Sequence, residues 1–178
     1  AIQHYEAALE VYARATSPED WAMTQHNLAN AYCNRIRGEK ADNIKVAIQH
    51  YEAALEVRSR AAFPEQWAMT QNNLANAYSD RIRGEKAVNI EAAIQHYEAA
   101  LGGDTWGAFA ENSAVAQYNL ANAYCNRVRG EKAGNIKVAI QDHQAAPGVA
   151  AAPDLPERPA VTQNYTPNAD SVPIPREQ

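Results

Sequence analysis

The sequence predicts an all-α solenoid of about seven antiparallel helices, followed by a proline-rich tail. The main observation is internal repetition. The phrase Gln-x-Asn-Leu-Ala-Asn-Ala-Tyr begins at Gln25, Gln71 and Gln117, which sets a period of 46 residues. Residues 1–46 and 47–92 are identical at 35 positions without a gap. A fixed period of this size is typical of repeat units that bury their apolar faces against their neighbours, and within each unit the apolar residues recur at helical spacing.

The first two helices are predicted from apolar spacing and from end signals. Residues 1 to about 16 form one helix, with Ile2, Tyr5 and Leu9 on one face. Ser17 is the predicted N-cap of the second helix, with a proline at its first position. Gly38 is its predicted end, because glycine enters the left-handed conformation without penalty. The apolar residues expected on one face of this helix are Trp21, Leu28, Ala31, Tyr32 and Ile36.

The remaining helices follow from the repetition. They are predicted at about 44–61, 65–83, 90–101, 112–129 and 136–146. Gly84 and Gly130 repeat the end signal of Gly38. The residues predicted to cap the second helix of each unit are Asn43, Asn89 and Asn135.

The third unit and the tail depart from the pattern. Three glycines at 102, 103 and 107 are expected to shorten the second helix and loosen the connection after it. Pro147 ends the last helix, since proline lacks the helical N–H donor. We therefore predict a repeat array over residues 1–146, in units 1–46, 47–92, 93–138 and a partial 139–146. Residues 147–178 carry seven of the nine prolines and are predicted to be an extended tail.

Both phrases of the repeat resemble the helices of the tetratricopeptide repeat family. The residues that carry the resemblance are Leu74, Ala75 and Tyr78 on the first helix, then Ala93, Tyr97 and Ala100 on the second. The period exceeds the usual length of about 34 residues, and the wording is similar to long bacterial repeats of the cyanobacterial type. The resemblance implies a right-handed superhelix whose first helices line a concave surface. It also implies a non-enzymatic protein that binds other proteins.

Charge and cysteine usage limit the partners and the compartment. The net charge of -5 argues against nucleic acid, whose binding surfaces are usually basic. The sequence shows neither an apolar run of membrane-spanning length nor a signal peptide. Cys33 and Cys125 lie two units apart, too far for a disulfide, so two unpaired thiols favour the cytoplasm. An extracellular location is expected only if the chain is a filament protomer.

Asparagines repeated on the first helices are the candidate binding residues. Two sets occur at the same repeat positions, three residues apart on one helix face: the asparagine ladders Asn27, Asn73, Asn119 and Asn30, Asn76, Asn122. Their amides both donate and accept hydrogen bonds, so they can pair with the backbone of an extended peptide. The alternative is that they bond the neighbouring helix and fix the stacking of repeats. The neighbouring residues that vary between units, and that are predicted to tune selectivity, are His26, Asn72 and Tyr118.

We interpret the other polar residues that recur in each unit as structural. The basic phrase of residues 35–40, repeated at 81–86 and 127–132, is interpreted as complementing the helix dipole at first-helix C-termini. His4, His50 and His96 recur too far apart to share a metal ion, so they are interpreted as surface or stacking residues. We identify no catalytic set, phosphate loop, metal site or cofactor motif, and we expect no enzyme.

Three functional hypotheses follow. The first is a protein-interaction scaffold that holds an extended peptide in the concave groove through the asparagine ladders. The second is a structural protomer that assembles head to tail into a filament, with the proline-rich tail docked on a neighbour. The third is a regulatory fragment of a larger signalling protein.

Overall fold

The computed structural model describes residues 1–102, 110–127 and 132–145, and these residues form seven α-helices without a strand. Helices α2 and α3, α4 and α5, and α6 and α7 pack as antiparallel pairs, and α1 packs on α2. The helix bounds are α1 Ile2–Val11, α2 Pro18–Cys33, α3 Lys40–Leu55, α4 Pro64–Ser79, α5 Lys86–Leu101, α6 Ala110–Asn126 and α7 Lys132–Ala145. The prediction of an all-α solenoid is confirmed. Gly103, Gly107, Gly130 and the tail of residues 147–178 lie outside the described part.

The first helix of each hairpin begins as predicted and ends earlier. Ser17 occupies the N-cap position of α2, but its side chain makes no capping hydrogen bond. A proline occupies the first turn of α2, as Pro64 does in α4. Gly38 and Gly84 have φ of 82° and 90°, so the predicted left-handed glycines are confirmed. Their role as helix ends is wrong, because α2 ends at Cys33 and the glycine lies in the loop that follows. The loop between α2 and α3 spans six residues, which lets the chain reverse its direction before α3 begins.

Asn43 and Asn89 are not the N-caps that the sequence suggested. Helix α3 begins at Lys40, after an extended Glu39, so Asn43 lies within its first turns. Its side chain is 5% exposed, and its Nδ2 donates to the carbonyl oxygens of Arg37 at 3.0 Å and Arg35 at 3.5 Å. Asn89 donates to the equivalent carbonyls in the next unit. Both asparagines thus satisfy backbone acceptors of the loop, which buried carbonyls require.

The loop between the helices of a hairpin also carries the basic phrase and an exposed isoleucine. Ile36 is 99% exposed, so its predicted place on the apolar face of α2 is wrong. Neither α2 nor α4 has a basic residue in its last turn. The arginines lie beyond the helix and stack on tyrosines: the guanidinium of Arg35 is 5.7 Å from the ring centre of Tyr32. Cation–π contact therefore takes the place of the proposed dipole interaction.

The apolar core is divided into clusters that each join one hairpin to the next. One cluster contains Ile44, Ile48 and Tyr51 of α3 together with Leu74 of α4, and all four are buried. The next cluster repeats it with Ile90, Ile94, Tyr97 and Leu120. Each hairpin thus buries its apolar surface only when the following first helix covers it, as expected for a solenoid.

Helix α1 differs from the later second helices, because α2 is the one described helix that makes extensive contact with it. None of its residues is buried, and Ile2, Tyr5 and Leu9 are half-exposed. The equivalent Ile48 and Tyr51 are 6% and 2% exposed. Helix α1 is also shorter than predicted, since it ends at Val11 rather than near residue 16.

Polar contacts between a second helix and the first helix that follows it recur with the apolar ones. The hydroxyls of Tyr32, Tyr78 and Tyr124 donate to Glu6, Glu52 and Glu98 at 3.1, 3.0 and 2.6 Å. Both cysteines are free and half-buried, and burial raises the pKa of each thiol. In the part of the chain that the structure describes, no helix is both long and apolar enough to cross a membrane.

An ion pair between units is present at one position and absent at the equivalent position one unit earlier. Arg127 makes a bidentate ion pair with Glu91, with Nε–Oε1 at 2.8 Å and Nη2–Oε2 at 2.9 Å. The equivalent pair one unit earlier is Arg81 and Lys45, and Arg81 Nε is buried without a hydrogen-bond partner. We expect Lys45→Glu to raise the free energy of unfolding by about 1 kcal/mol, because it supplies the missing acceptor.

Urea denaturation followed by circular dichroism measures this gain. The matched control is Glu91→Lys, which recreates the Arg81 arrangement at Arg127 and should lower stability. Equal stability of the Lys45→Glu protein and the parent would contradict the prediction.

Candidate functional site

One face of the first helices is left uncovered by the hairpin cores. On α2 it carries Met23, Asn27 and Asn30, which are spaced three or four residues apart and therefore share a face. The equivalent residues of α4 are Met69, Asn73 and Asn76, and on α6 the equivalent asparagines are Asn119 and Asn122. Met23 and Met69 are 45% and 39% exposed, and all six asparagines are half-exposed. We call this set of residues the groove face.

The groove face lies on the inner side of the stack. Helices α2 and α4 contact each other, as do α4 and α6, whereas successive second helices approach less closely. Helices that lie closer together form the inner, shorter side of a curved stack. The asparagines of both ladders therefore lie on this inner side of the stack.

Hydrogen bonds join the two ladders across units. Asn73 Nδ2 donates to Asn30 Oδ1 at 3.3 Å, and Asn119 Nδ2 donates to Asn76 Oδ1 at 3.2 Å. The buried Tyr51 hydroxyl also donates to Asn30 Oδ1, at 2.6 Å, and Tyr97 repeats this contact on Asn76 at 2.5 Å. Each acceptor oxygen thus has both lone pairs engaged. The ladders therefore contribute to repeat stacking.

The donor sides of Asn30 and Asn76 remain available. Among the described residues, no acceptor lies within hydrogen-bond reach of either Nδ2 group. An amide whose oxygen is held by two donors has a fixed orientation, because rotation would break both bonds. Two oriented NH₂ groups, one unit apart, thus point away from the stacking contacts.

The ladders change at both ends of the described array. Asn27 and Asn122 make no side-chain hydrogen bond to the described residues. The tyrosine that would bond Asn122 is replaced in the sequence by His143. Among the described residues, the repeated network is therefore complete only around Asn30 and Asn76.

His26, a predicted selectivity residue, lies between hairpins. It is 5% exposed, and its Nδ1 is 3.0 Å from Thr70 Oγ1. Thr70 donates its own proton to the Gln66 carbonyl at 2.6 Å, so His26 Nδ1 carries a proton and donates it. His26 Nε2 then accepts from Asn73 Nδ2 at 3.4 Å. Burial, followed by the nearby Arg58 charge, lowers the pKa of His26 to about 4.

The other two variable neighbours are more exposed. Asn72 is half-exposed and donates to Asn73 Oδ1 at 3.5 Å, while its own Oδ1 is buried without a partner among the described residues. Tyr118 is half-exposed on α6. Position 26 and its equivalents thus sit beside the ladder asparagines, at the back of the groove face.

Sequence reasoning missed Arg58, which follows the end of α3. Its side chain is 8% exposed, and its Nη1 donates to Thr70 Oγ1 at 3.0 Å. Burial lowers the pKa of this guanidinium, and Glu19 acts in the opposite direction. The equivalent positions hold Tyr12 and Asp104, so a change in charge between near-identical units was the available signal.

The histidines of the second helices have stacking roles. His50 Nδ1 lies 2.6 Å from Gln25 Oε1, and the imidazole stacks on Tyr32 with ring centres 5.7 Å apart. His96 repeats both contacts with Gln71 and Tyr78. Within the described ranges, no three His, Cys, Asp or Glu side chains lie close enough to hold a metal ion.

One of these hairpins matches the model of a known protein family. Residues 67–106 match the family model of the tetratricopeptide repeat. This chain carries a tetratricopeptide repeat. The matched segment covers most of α4 and all of α5, the hairpin that holds Asn73 and Asn76. Searches of curated proteins and of solved structures returned no match.

Tetratricopeptide repeats generally mediate protein–protein interaction, and the family is typically non-enzymatic. The first and second tetratricopeptide-type hairpins of this chain are nearly identical in sequence over α2–α3 and α4–α5. The groove face is therefore built from repeated copies of one surface.

Proposed function

We propose that the repeat array of residues 1–146 is a non-enzymatic scaffold that binds an extended peptide along the groove face. The observation that carries this proposal is the pair of Nδ2 groups of Asn30 and Asn76. They are half-exposed, oriented by two hydrogen bonds each, and without an acceptor in the described chain. A backbone carbonyl of a bound peptide would supply that acceptor.

The spacing of the repeats suits an extended chain. Packed helices lie about 8–10 Å apart, and an extended backbone advances about 3.3 Å per residue. In the polyproline II conformation, with three residues per turn and a rise of about 3.1 Å per residue, every third peptide carbonyl would face the same side and meet one NH₂ group. The exposed Met23 and Met69 lie about two helical turns before Asn30 and Asn76 and offer flexible apolar contacts to the peptide side chains.

An isosteric substitution tests the proposal. Asn30→Asp combined with Asn76→Asp keeps both acceptor oxygens for the tyrosines and the neighbouring asparagines, and removes only the NH₂ donors. We expect peptides selected on the parent protein from a random 12-residue library to lose at least about tenfold in affinity, since charge repels a carbonyl and two donors are gone. Isothermal titration calorimetry measures the loss.

The matched control is Asn34→Asp, which introduces the same change where the amide donates to the Asn30 backbone carbonyl beyond the end of α2. It should bind the peptides as the parent does. Failure to select any peptide, or equal binding by the doubly substituted protein, would remove the proposal.

A second candidate is self-association into a head-to-tail filament. The observation that favours it is the half-exposed apolar face of α1, whose equivalents in α3 are buried by a neighbouring hairpin. A second copy could supply that neighbour. Light scattering of the 178-residue chain separates the candidates: a mass that stays at 19.5 kDa at all concentrations rejects the filament. Assemblies that Leu9→Glu disperses support it.

A further inference from the structure

A small cavity opens beside the first turns of α2 and α4. Its volume is about 90 Å³, and its walls are Glu19, Met23, Val57, Arg58, Phe63 and Gln66. It is smaller than the roughly 150 Å³ cavity that holds a benzene ring. A cavity of this size takes a group of a few heavy atoms, such as one short side chain.

One of the polar groups in the wall of this cavity is a buried cation that makes no ion pair, and Glu19 of the same wall acts on it only from beyond ion-pair distance. Arg58 is 92% removed from solvent, since its exposed fraction is 8%, and among the described residues no carboxylate lies within ion-pair distance of it. One of its nitrogens donates to Thr70. Burying a guanidinium is costly unless the charge is paired.

The remaining donors of Arg58 are not fully buried. A guanidinium has five N–H groups in a planar fork. The nitrogens of Arg58 that lack an acceptor are not sealed from solvent, in contrast to Nε of Arg81. Arg58 is also part of the cavity wall, so a group that enters the cavity lies next to this side chain.

We propose that this cavity is a carboxylate-binding subsite that takes the acidic side chain of a bound peptide. Arg58 holds the carboxylate, and the apolar surfaces of Met23, Val57 and Phe63 pack around the methylene groups. The fork geometry of a guanidinium matches the two oxygens of a carboxylate, and partial burial strengthens the pair. The inference rests on the proposed function, because it places the acid in a peptide that follows the groove face.

The position of the cavity joins it to that face. Met23 belongs to both, and Gln66 precedes Met69 by three residues on α4. A peptide lying over Asn30 and Asn76 would reach the cavity through a segment that runs about two helical turns toward the N-terminal end of the first helices. The equivalents of Arg58 are Tyr12 and Asp104, so the repeated sequence provides this arginine at one junction and would place the peptide in one register.

The experiment uses the two methionines of the chain as reporters. The protein is labelled with ¹³C at the methionine methyl groups and titrated with N-acetyl-glutamate α-amide. We expect a saturable shift of the Met23 methyl signal and none at Met69, whose unit has aspartate in place of Arg58. The neutral N-acetyl-glutamine α-amide should bind at least about tenfold more weakly, because it lacks the charge-assisted pair.

A second probe distinguishes the source of the carboxylate. N-acetyl-alanine carries only a C-terminal carboxylate on a short stem. We expect it to bind more weakly than N-acetyl-glutamate α-amide, since the carboxylate of the longer side chain reaches Arg58 while its methylenes pack on the walls. Tighter binding of N-acetyl-alanine would overturn the side-chain assignment and indicate recognition of a peptide C-terminus.

Two substitutions complete the test. Arg58→Gln should abolish the Met23 shift. Because Arg58 also supports Thr70, a second substitution acts on the rim instead: Glu19→Gln removes a negative charge beside the cavity and should tighten binding of the acid about threefold. An absent Met23 shift, equal binding of the glutamine compound, or weaker binding by the Glu19→Gln protein would overturn the proposal.

The test of the carboxylate subsite can fail or succeed independently of the test of the groove proposal. The single-residue probes do not need the asparagine ladders, so the Asn30→Asp, Asn76→Asp protein should still bind N-acetyl-glutamate α-amide. Loss of the acid site with selected peptides still bound would reject only the subsite. Retention of the acid site without peptide binding would reject only the groove.

Discussion

Tyr51→Ala is expected to lower the free energy of unfolding by about 4 kcal/mol, the largest single effect that we predict. Tyr51 is 2% exposed in the cluster that joins α3 to α4, and truncating a buried aromatic residue leaves a cavity. Its hydroxyl also donates to Asn30. Urea denaturation followed by far-ultraviolet circular dichroism measures the loss, which is large against the 5–15 kcal/mol typical of a domain.

The repeat supplies a matched control at the same position. Tyr5→Ala removes the same side chain from α1, where no residue is buried, and we expect it to cost about 1 kcal/mol. The difference between the two variants measures how much the next hairpin contributes to burying one tyrosine. Equal losses would show that stability does not depend on stacking between repeats.

Acid is expected to destabilise the fold through His26. In the unfolded chain the histidine pKa is near 6.5, and in the folded chain it is lowered to about 4. The unfolded state therefore binds a proton first, so this contribution to stability is complete above pH 6.5 and is lost as the pH falls towards 4. At 1.36 kcal/mol per pH unit, the loss reaches about 3 kcal/mol.

Comparison with His26→Asn isolates this effect. Asparagine stands at the same position of the next unit, as Asn72, and does not titrate. The variant loses the bonds to Thr70 and Asn73 and should be less stable at pH 7.5, but its stability should fall less steeply between pH 6.5 and 4. His50 and His96, whose pKa values burial also lowers, are common to both proteins. Parallel stability curves for parent and variant would contradict the prediction.

The fold could be predicted because repetition and helical spacing agree. Leu74, Ala75 and Tyr78 recur with their equivalents at one period, and an apolar face that recurs in every unit has to be buried by the neighbouring unit. The N-terminal signal of Ser17 and Pro18 is local, so it was also readable. The C-terminal ends of the helices could not be read from the sequence in this way. Gly38 lies in a turn of the loop, five residues beyond the last residue of α2.

The candidate site was predictable only in part. The asparagine ladders were recognisable because asparagine recurs at equivalent positions of each unit, and helical spacing placed these residues on one face. Which atoms of Asn30 are used for stacking depends on Tyr51, which lies 21 residues further along the chain. Whether His26 faces the groove or the interface between hairpins depends likewise on Thr70, a residue of the next unit.

The sequence by itself determined the helical repeat, its period and the row of asparagines, since all three are properties of spacing along the chain. Only the tertiary structure decided that Asn30 and Asn76 keep free donors, that His26 is neutral, and that Arg58 lies buried beside an open cavity. The physical reason is that a free donor, a shifted pKa and an unpaired charge depend on neighbours from other units. A single residue that differs between near-identical units, such as Arg58, changes the neighbours of the surrounding side chains. The units therefore differ in their chemistry at such positions.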